Sequence, residues 1–132
     1  MNPTVLIDTS VWVEYFRGKD HELVESVKDL IRTQRAVMCG VVLSELLAGV
    51  RAKKSQDTLS QTLDALEYAE VSRSTWILAG EMSSRLKQQG IGIPLTDLIL
   101  ASLAIECDSE LLTLDSHFDQ IPEVKRFKLT KS

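Results

Sequence analysis

The chain has 132 residues, of which 44% are hydrophobic and 26% charged, a balance typical of one globular domain rather than a disordered chain. Its formal net charge of −4 argues against a broad basic surface for nucleic acid but permits acid concentrated in one place. No apolar run reaches the roughly 20 residues that span a bilayer, and the N-terminus lacks a secretory signal, so we expect a cytoplasmic protein.

Short apolar runs alternate with amphipathic segments along the whole sequence. In chain order, the predicted elements are a strand at 4–8, helices at 11–17 and 20–34, a strand at 36–40, helices at 41–52 and 55–66, a strand near 69–73, a helix from Ser74 or Thr75 to about Gly90, a helix at about 97–107, a strand at about 110–114, a turn-helix at 116–121 and a last strand at 124–129. This alternation predicts an α/β fold, a single domain over residues 1–132 whose central, mostly parallel sheet carries helices on both faces.

The two cysteines, Cys39 and Cys107, stand alone in apolar surroundings without a Cys-x-x-Cys spacing. We predict that both are buried, reduced thiols rather than a disulfide or a zinc site.

Four acidic residues from distant segments are placed near one edge of the predicted sheet. Asp8 and Asp115 follow strands, Glu45 lies one turn into the helix after the second strand, and Asp97 begins the helix that leads to Asp115. In an open parallel sheet, ligands bind beyond the carboxyl ends of the strands. We therefore expect the four carboxylates to converge on that edge.

Each of these residues also has a purely structural interpretation. Asp8 could cap the next helix, although Thr9 and Ser10 could do so as well, and Asp97 could be a helix cap or a first-turn acid beside Thr96. Glu45 could belong to an exposed helical stripe, and Asp115 could begin a turn. Taken singly, none of the four is decisive.

Convergence of the acids would favour a metal site. Carboxylates that share a site repel each other unless a cation joins them, and Mg²⁺ and Mn²⁺ prefer oxygen ligands. Such an ion can activate water and stabilise charge on a phosphoryl oxygen, which indicates hydrolysis of a phosphodiester. Ser10 and Thr113 could position waters or ligands by hydrogen bonding.

Other chemistries have less support in the sequence. The chain lacks a P-loop, a dinucleotide fingerprint and a G-x-S-x-G elbow, and Ser10 stands where an aspartyl-phosphate enzyme would have a second aspartate. His21 and His117 lack a zinc spacing, and we interpret His117 as a surface residue of a small turn rather than a general base.

Four segments together resemble the PIN-domain ribonucleases, most closely the VapC-type toxins of type II toxin–antitoxin pairs. The segments are LIDTSVWVEYFRG at 6–18, SELLAGV at 44–50, IPLTDLILASLAIE at 93–106 and LLTLDSHFDQI at 111–121. The resemblance extends over essentially the whole chain and implies a PIN fold and an endoribonuclease that depends on Mg²⁺ or Mn²⁺.

The resemblance also implies roles for the acidic residues. In that family, the counterparts of Asp8 and Asp97 are the usual direct metal ligands, and those of Glu45 and Asp115 complete the cluster and orient waters. Thr113 matches a polar residue beside the site. Some relatives carry a further acid soon after the fourth aspartate, but this chain reaches Asp119 only after other residues, so we leave Asp119 outside the predicted site and a second metal ion open.

The family implies RNA as substrate, a cognate antitoxin as partner and a homodimer. An antitoxin would place an amphipathic segment between helices, with the helices at 41–52 and 55–66 as contacts. Trp12, Tyr15 and Phe16 are better explained as core or dimer surface than as a stacking platform for bases. The candidates for contact with RNA phosphates are Arg17, Lys19, Arg51, Lys53 and Lys54. Two alternatives stay open: a PIN-fold nuclease of RNA processing or structured DNA, and a non-catalytic binding module.

Overall fold

A computed structural model describes residues 2–129. The strands are β1 (Val5–Ile7), β2 (Ala36–Cys39), β3 (Glu67–Ala69) and β4 (Glu110–Leu112). The helices are α1 (Thr9–Arg17), α2 (His21–Arg32), α3 (Gly40–Ala48), α4 (Lys53–Leu63), α5 (Arg73–Gln88) and α6 (Leu95–Glu106), followed by a 3₁₀ helix at Ser116–Gln120.

The four strands form one parallel sheet in the order β3-β2-β1-β4. Val5 of β1 pairs with Ala36 on one side and with Glu110 on the other, so β1 is an interior strand. β1 and β2 are buried along their whole length, which explains their continuous apolar sequence. The predicted fold class is confirmed.

The strand order reverses beside β1, and this reversal divides the helices between the two faces. The chain steps outward from β1 to β2 and β3 and then crosses back to β4 on the far side of β1. Because such connections are right-handed, α1–α4 cover one face and α5 with α6 covers the other. Helix packing agrees, since α1 contacts α2 and α3 whereas α5 packs against α6. A doubly wound sheet binds ligands at this switch point, between the carboxyl ends of β1 and β4.

Helix α6 is the most deeply buried helical segment of the core. Every residue from Leu98 to Ala104 is buried, including Ser102, whose hydroxyl donates to the carbonyl of Leu98 at 2.7 Å. That bond satisfies the buried hydroxyl. The first turn of α6, which carries Asp97, is therefore held against the sheet by a fully packed helix.

Several predicted details are wrong. The last strand is reduced to a single parallel bridge between Leu111 and Arg126, because its backbone hydrogen bonds to β4 run through Leu111, which donates to Lys125 and accepts from Phe127. Cys39 is buried as expected, but Cys107 is exposed because it lies at the C-terminal end of α6, where the buried face stops. Among residues 2–129, none of the helices combines the length and apolar character that a bilayer crossing requires.

Candidate metal centre

Asp8 stands at the end of β1 and is held from three directions. Its Oδ1 accepts a hydrogen bond from the Thr9 N–H at 2.7 Å, which makes it the N-cap of α1. Its Oδ2 accepts from the hydroxyls of Ser10 at 3.0 Å and Thr113 at 2.7 Å. Only 8% of the residue is exposed. A buried carboxylate with three donors is fixed in orientation, and of its roughly four lone-pair sites one, on Oδ1, stays free for a further ligand.

Three side chains meet beside Asp8 at the switch point. Asp97, Asp115 and His117 each offer a ligand atom, and these three atoms lie within 4.8 Å of one another. The Nδ1 atom of His117 is 2.9 Å from Oδ2 of Asp97 and 3.3 Å from Oδ1 of Asp115. All three residues are half-buried, so the group lies in the protein surface and is not enclosed.

Local backbone structure explains how these residues reach one point. Helix α6 begins after Pro94, whose fixed φ suits a helix start, so Asp97 falls in the first turn and is not the cap. Asp115 caps the 3₁₀ helix, and its Oδ1 accepts from the His117 N–H at 2.9 Å. The structural interpretation of Asp115 as a turn residue is therefore correct, and the same turn brings His117 towards Asp97.

The charges in this region influence one another. Burial raises the pKa of Asp97, the charges of Asp115 and Asp8 raise it further, and hydrogen bonding to His117 opposes the rise. The hydrogen bond to Asp97 also raises the pKa of His117. Asp8 is thus close enough to act electrostatically on Asp97. A carboxyl group in this position resists ionisation until a cation compensates it.

Glu45 lies at the outer edge of this region. It is exposed on α3, and its Oε1 accepts from the Thr9 hydroxyl at 2.6 Å. Burial raises the pKa of the Cys39 thiol, and the charges of Asp8 and Glu45 contribute to that rise, which places Glu45 in the same electrostatic environment. Its carboxylate is tethered to the helix that Asp8 caps but is not one of the three converging groups.

The four predicted acidic residues therefore differ in how closely they approach one another and in how exposed they are. It brings Asp97 and Asp115 together, places Asp8 next to them and leaves Glu45 at the exposed edge. The family resemblance implies Asp8 and Asp97 as direct ligands, and the ligand atoms that lie within 4.8 Å of one another belong to Asp97, Asp115 and His117.

The two supporting polar residues lie where they can orient the acids. The Ser10 hydroxyl donates to Asp8 and accepts from the Leu114 N–H at 3.1 Å, and the Thr113 hydroxyl accepts from the Asp115 N–H at 3.0 Å. The Ser10 hydroxyl consequently links α1 to the segment after β4, and the Thr113 hydroxyl links that segment to the residue that follows β1.

His117, which the sequence analysis interpreted as a surface residue of a small turn, lies against both Asp97 and Asp115. The sequence signal for this contact was its spacing: it lies two residues after Asp115, where the backbone of an Asx-type turn folds back on the aspartate. Asp119, in contrast, pairs with Arg126 at 2.6 Å.

Comparison with known proteins identifies the family of the chain. The family model of the PIN domain matches residues 5–124, so the chain belongs to the PIN domain family. Ribonuclease VapC11 of Mycobacterium tuberculosis is 27% identical over 124 residues, which cover 91% of this chain and 92% of that protein.

Solved structures resemble the fold across nearly its whole length. The structure of VapBC2 from Rickettsia felis, bound to a DNA fragment from its promoter, contains a chain that matches with a TM-score of 0.81 at 24% identity, covering 96% of this chain and 99% of that one. A toxin–antitoxin complex from Klebsiella pneumoniae matches with a TM-score of 0.75 at 17% identity, covering 92% and 95%.

Proposed function

We propose that this protein is a metal-dependent endoribonuclease and the toxin of a type II toxin–antitoxin pair. The observation that carries the proposal is the meeting of Asp97 and Asp115 beside Asp8 at the switch point of a PIN domain. Support for the activity comes from relatives that are named ribonucleases and match over about nine-tenths of this chain.

The donor set fits a divalent cation. Asp8, Asp97 and Asp115 supply hard oxygen atoms. Burial first, and then the charges of Asp115 and Asp8, raise the pKa of Asp97, and a bound cation would compensate these effects. Asp8 and Asp97 are the proposed principal ligands of Mg²⁺ or Mn²⁺, with Asp115 and Glu45 completing the acidic surroundings. When bound, such an ion supplies Lewis acidity and lowers the pKa of water.

The chain's own residues prepare this site before any substrate arrives. Ser10 and Thr113 hold Oδ2 of Asp8, so its orientation does not depend on solvent. The turn at Asp115 and the packed helix behind Asp97 fix the other two carboxylates. Preorganised charge of this kind lowers the reorganisation that a phosphodiester reaction would otherwise require.

RNA must approach this acidic edge with help from positive side chains. Arg17 and Lys53 form exposed ion pairs within their own helices, with Glu14 and Asp57 respectively. Exposed pairs of this kind are weak, so both cations stay available to phosphates at little cost. Binding by scattered cations should be strongly salt-dependent.

The proposed antitoxin has a surface that suits an amphipathic segment. A groove of 660 Å³ lies between α1, α2, α4 and β3, and its lining includes Trp12, Tyr15, Phe16, Leu63 and Leu66. Trp12 stacks on Phe16 with ring centroids 5.9 Å apart, which gives the groove a rigid aromatic wall. The groove includes residues of the predicted 55–66 contact and the aromatic residues of α1, but none from the predicted 41–52 contact. We also propose that the protein forms a homodimer.

Cleavage of total cellular RNA by purified protein tests the activity. Mg²⁺, Mn²⁺ and EDTA are compared for the wild type and Asp97→Asn, with circular dichroism to show that the variant folds. Discrete fragments that require metal and disappear with Asp97→Asn support the nuclease. Absence of cleavage and of calorimetric metal binding in well-folded, antitoxin-free protein would instead favour a binding module.

Suppression of cleavage by the protein encoded beside this chain tests the toxin assignment. Cleavage that no adjacent small protein suppresses would leave a PIN nuclease of RNA processing.

A further inference from the structure

His117 offers a nitrogen atom at the point where the two carboxylates of the candidate metal centre meet. Its Nδ1 contacts Oδ2 of Asp97 at 2.9 Å and Oδ1 of Asp115 at 3.3 Å. The side chain is 42% exposed, so packing does not dictate this placement. Two carboxylates of different elements and one imidazole nitrogen thus face a common centre.

These separations match the edges of a coordination octahedron. Metal–ligand bonds of roughly 2.1 Å at a right angle place neighbouring ligand atoms about 3.0 Å apart. The two observed contacts, 2.9 and 3.3 Å, lie close to that spacing. In the metal-free protein a proton on Nδ1 would account for the contact with Asp97, and an ion bound to Nδ1 would displace that proton.

We infer that His117 is a direct ligand of the divalent ion through Nδ1, and that this nitrogen shifts the site's preference from Mg²⁺ towards Mn²⁺. The inference rests on the proposed function, because it concerns the same metal centre. Imidazole nitrogen suits transition metals, whereas Mg²⁺ prefers an all-oxygen environment. As a ligand, the imidazole is neutral and carries its remaining proton on Nε2.

Electron spin-echo measurements on the Mn²⁺-loaded protein test this ligand directly. An imidazole nitrogen bound to Mn²⁺ produces ¹⁴N modulation of the echo, which carboxylates and water do not. The chain contains only two histidines, His21 and His117, so each can be removed in turn. We expect the modulation in the wild type and in His21→Asn, and its loss in His117→Asn.

Calorimetry and one further variant make the result specific. His117→Asn should weaken Mn²⁺ binding about 10- to 100-fold in calorimetry and Mg²⁺ binding much less. His117→Asp, which replaces nitrogen by oxygen, should recover metal binding without ¹⁴N modulation and favour Mg²⁺. Unchanged thermal unfolding of the metal-free His117→Asn protein near pH 8.5 would show that its defect is not one of folding.

The outcomes separate this inference from the proposed nuclease. If Mn²⁺ binds without ¹⁴N modulation while RNA is still cleaved, His117 is only a hydrogen-bonding neighbour of Asp97 and the inference fails alone. Modulation that persists in His117→Asn overturns it equally. If neither Mn²⁺ nor Mg²⁺ binds and RNA stays intact, the inference and the proposed function fail together.

Discussion

The hydroxyl of Thr113 donates to Oδ2 of Asp8 across 2.7 Å and accepts the N–H of Asp115 at 3.0 Å. One side chain therefore orients two of the acidic residues, one after β1 and one after β4. Because Thr113 is buried, water cannot take over either bond without a change in packing. The shape of the candidate centre depends on this hydroxyl.

Thr113→Val removes the hydroxyl while keeping the volume. We expect the free energy of unfolding to fall by about 1–3 kcal/mol, since a buried acceptor on Asp8 and the Asp115 N–H both lose a partner. Cleavage of RNA should fall by about tenfold, as is usual when a group that orients metal ligands is lost. Urea unfolding and initial cleavage rates measure the two effects. Thr113→Ser keeps the hydroxyl and is the matched control; equal rates for the valine and serine variants would contradict the assigned role.

The pairing of His117 with Asp97 should be visible in the pH dependence of the metal-free protein. The hydrogen bond to Asp97 raises the pKa of His117 above its ordinary value of about 6.5. NMR titration of the imidazole should show this elevation in the wild type and a lower midpoint in Asp97→Asn. An unchanged midpoint in that variant would mean that the contact does not persist in solution.

The same pKa elevation has a defined effect on stability. A raised pKa means that the folded state holds the proton more tightly, so the contribution is complete below about pH 6.5 and is lost as pH rises through the folded-state pKa. His117→Asn should therefore be less stable than the wild type at about pH 5.5 and equally stable at about pH 9. Thermal unfolding in EDTA at both pH values provides the comparison.

Metal binding should stabilise the folded protein. An ion at 100 times its dissociation constant that binds only the folded state adds about 2.7 kcal/mol, which for a chain of this size corresponds to a rise in Tm on the order of 10 °C. Scanning calorimetry with Mn²⁺ and with EDTA tests this. Asp97→Asn should show little or no rise, and a rise equal to that of the wild type would remove Asp97 from the proposed centre.

Much of the fold could be predicted because its determinants are local in the sequence. The apolar runs of β1 and β2 are buried on both faces, and their alternation with helices allows few arrangements other than a parallel sheet. The last strand, VKRFKL at 124–129, could not be predicted correctly because its sequence does not show how far a neighbouring strand pairs with it. Only the fold reveals that this segment joins β4 through a single bridge at Arg126.

The candidate site could likewise be predicted only in part from the sequence. The position of Asp8 after β1 and of Asp97 at the start of a helix is visible in the sequence, and both reach the switch point. The role of Asp115 as a cap and the approach of His117 depend on the dihedral angles of one turn, which composition does not fix. The tethering of Glu45 to Thr9 across 36 positions is a tertiary contact with no sequence signal.

Asp119 and Asp115 provide a final contrast between two acids four residues apart. Asp119 pairs with Arg126 at 2.6 Å, and its side chain is 67% exposed, so it is directed into an ion pair rather than the candidate metal centre. Asp119→Asn should leave Mn²⁺ affinity unchanged and cost less than about 1 kcal/mol of stability, as exposed ion pairs do.

Asp115→Asn should fold equally well, because asparagine also caps helices and turns, yet bind Mn²⁺ at least about tenfold more weakly. Calorimetric titration of the two variants side by side decides the matter. If Asp119→Asn instead loses affinity as severely as Asp115→Asn, Asp119 contributes to the centre and its pairing with Arg126 must break when the ion binds.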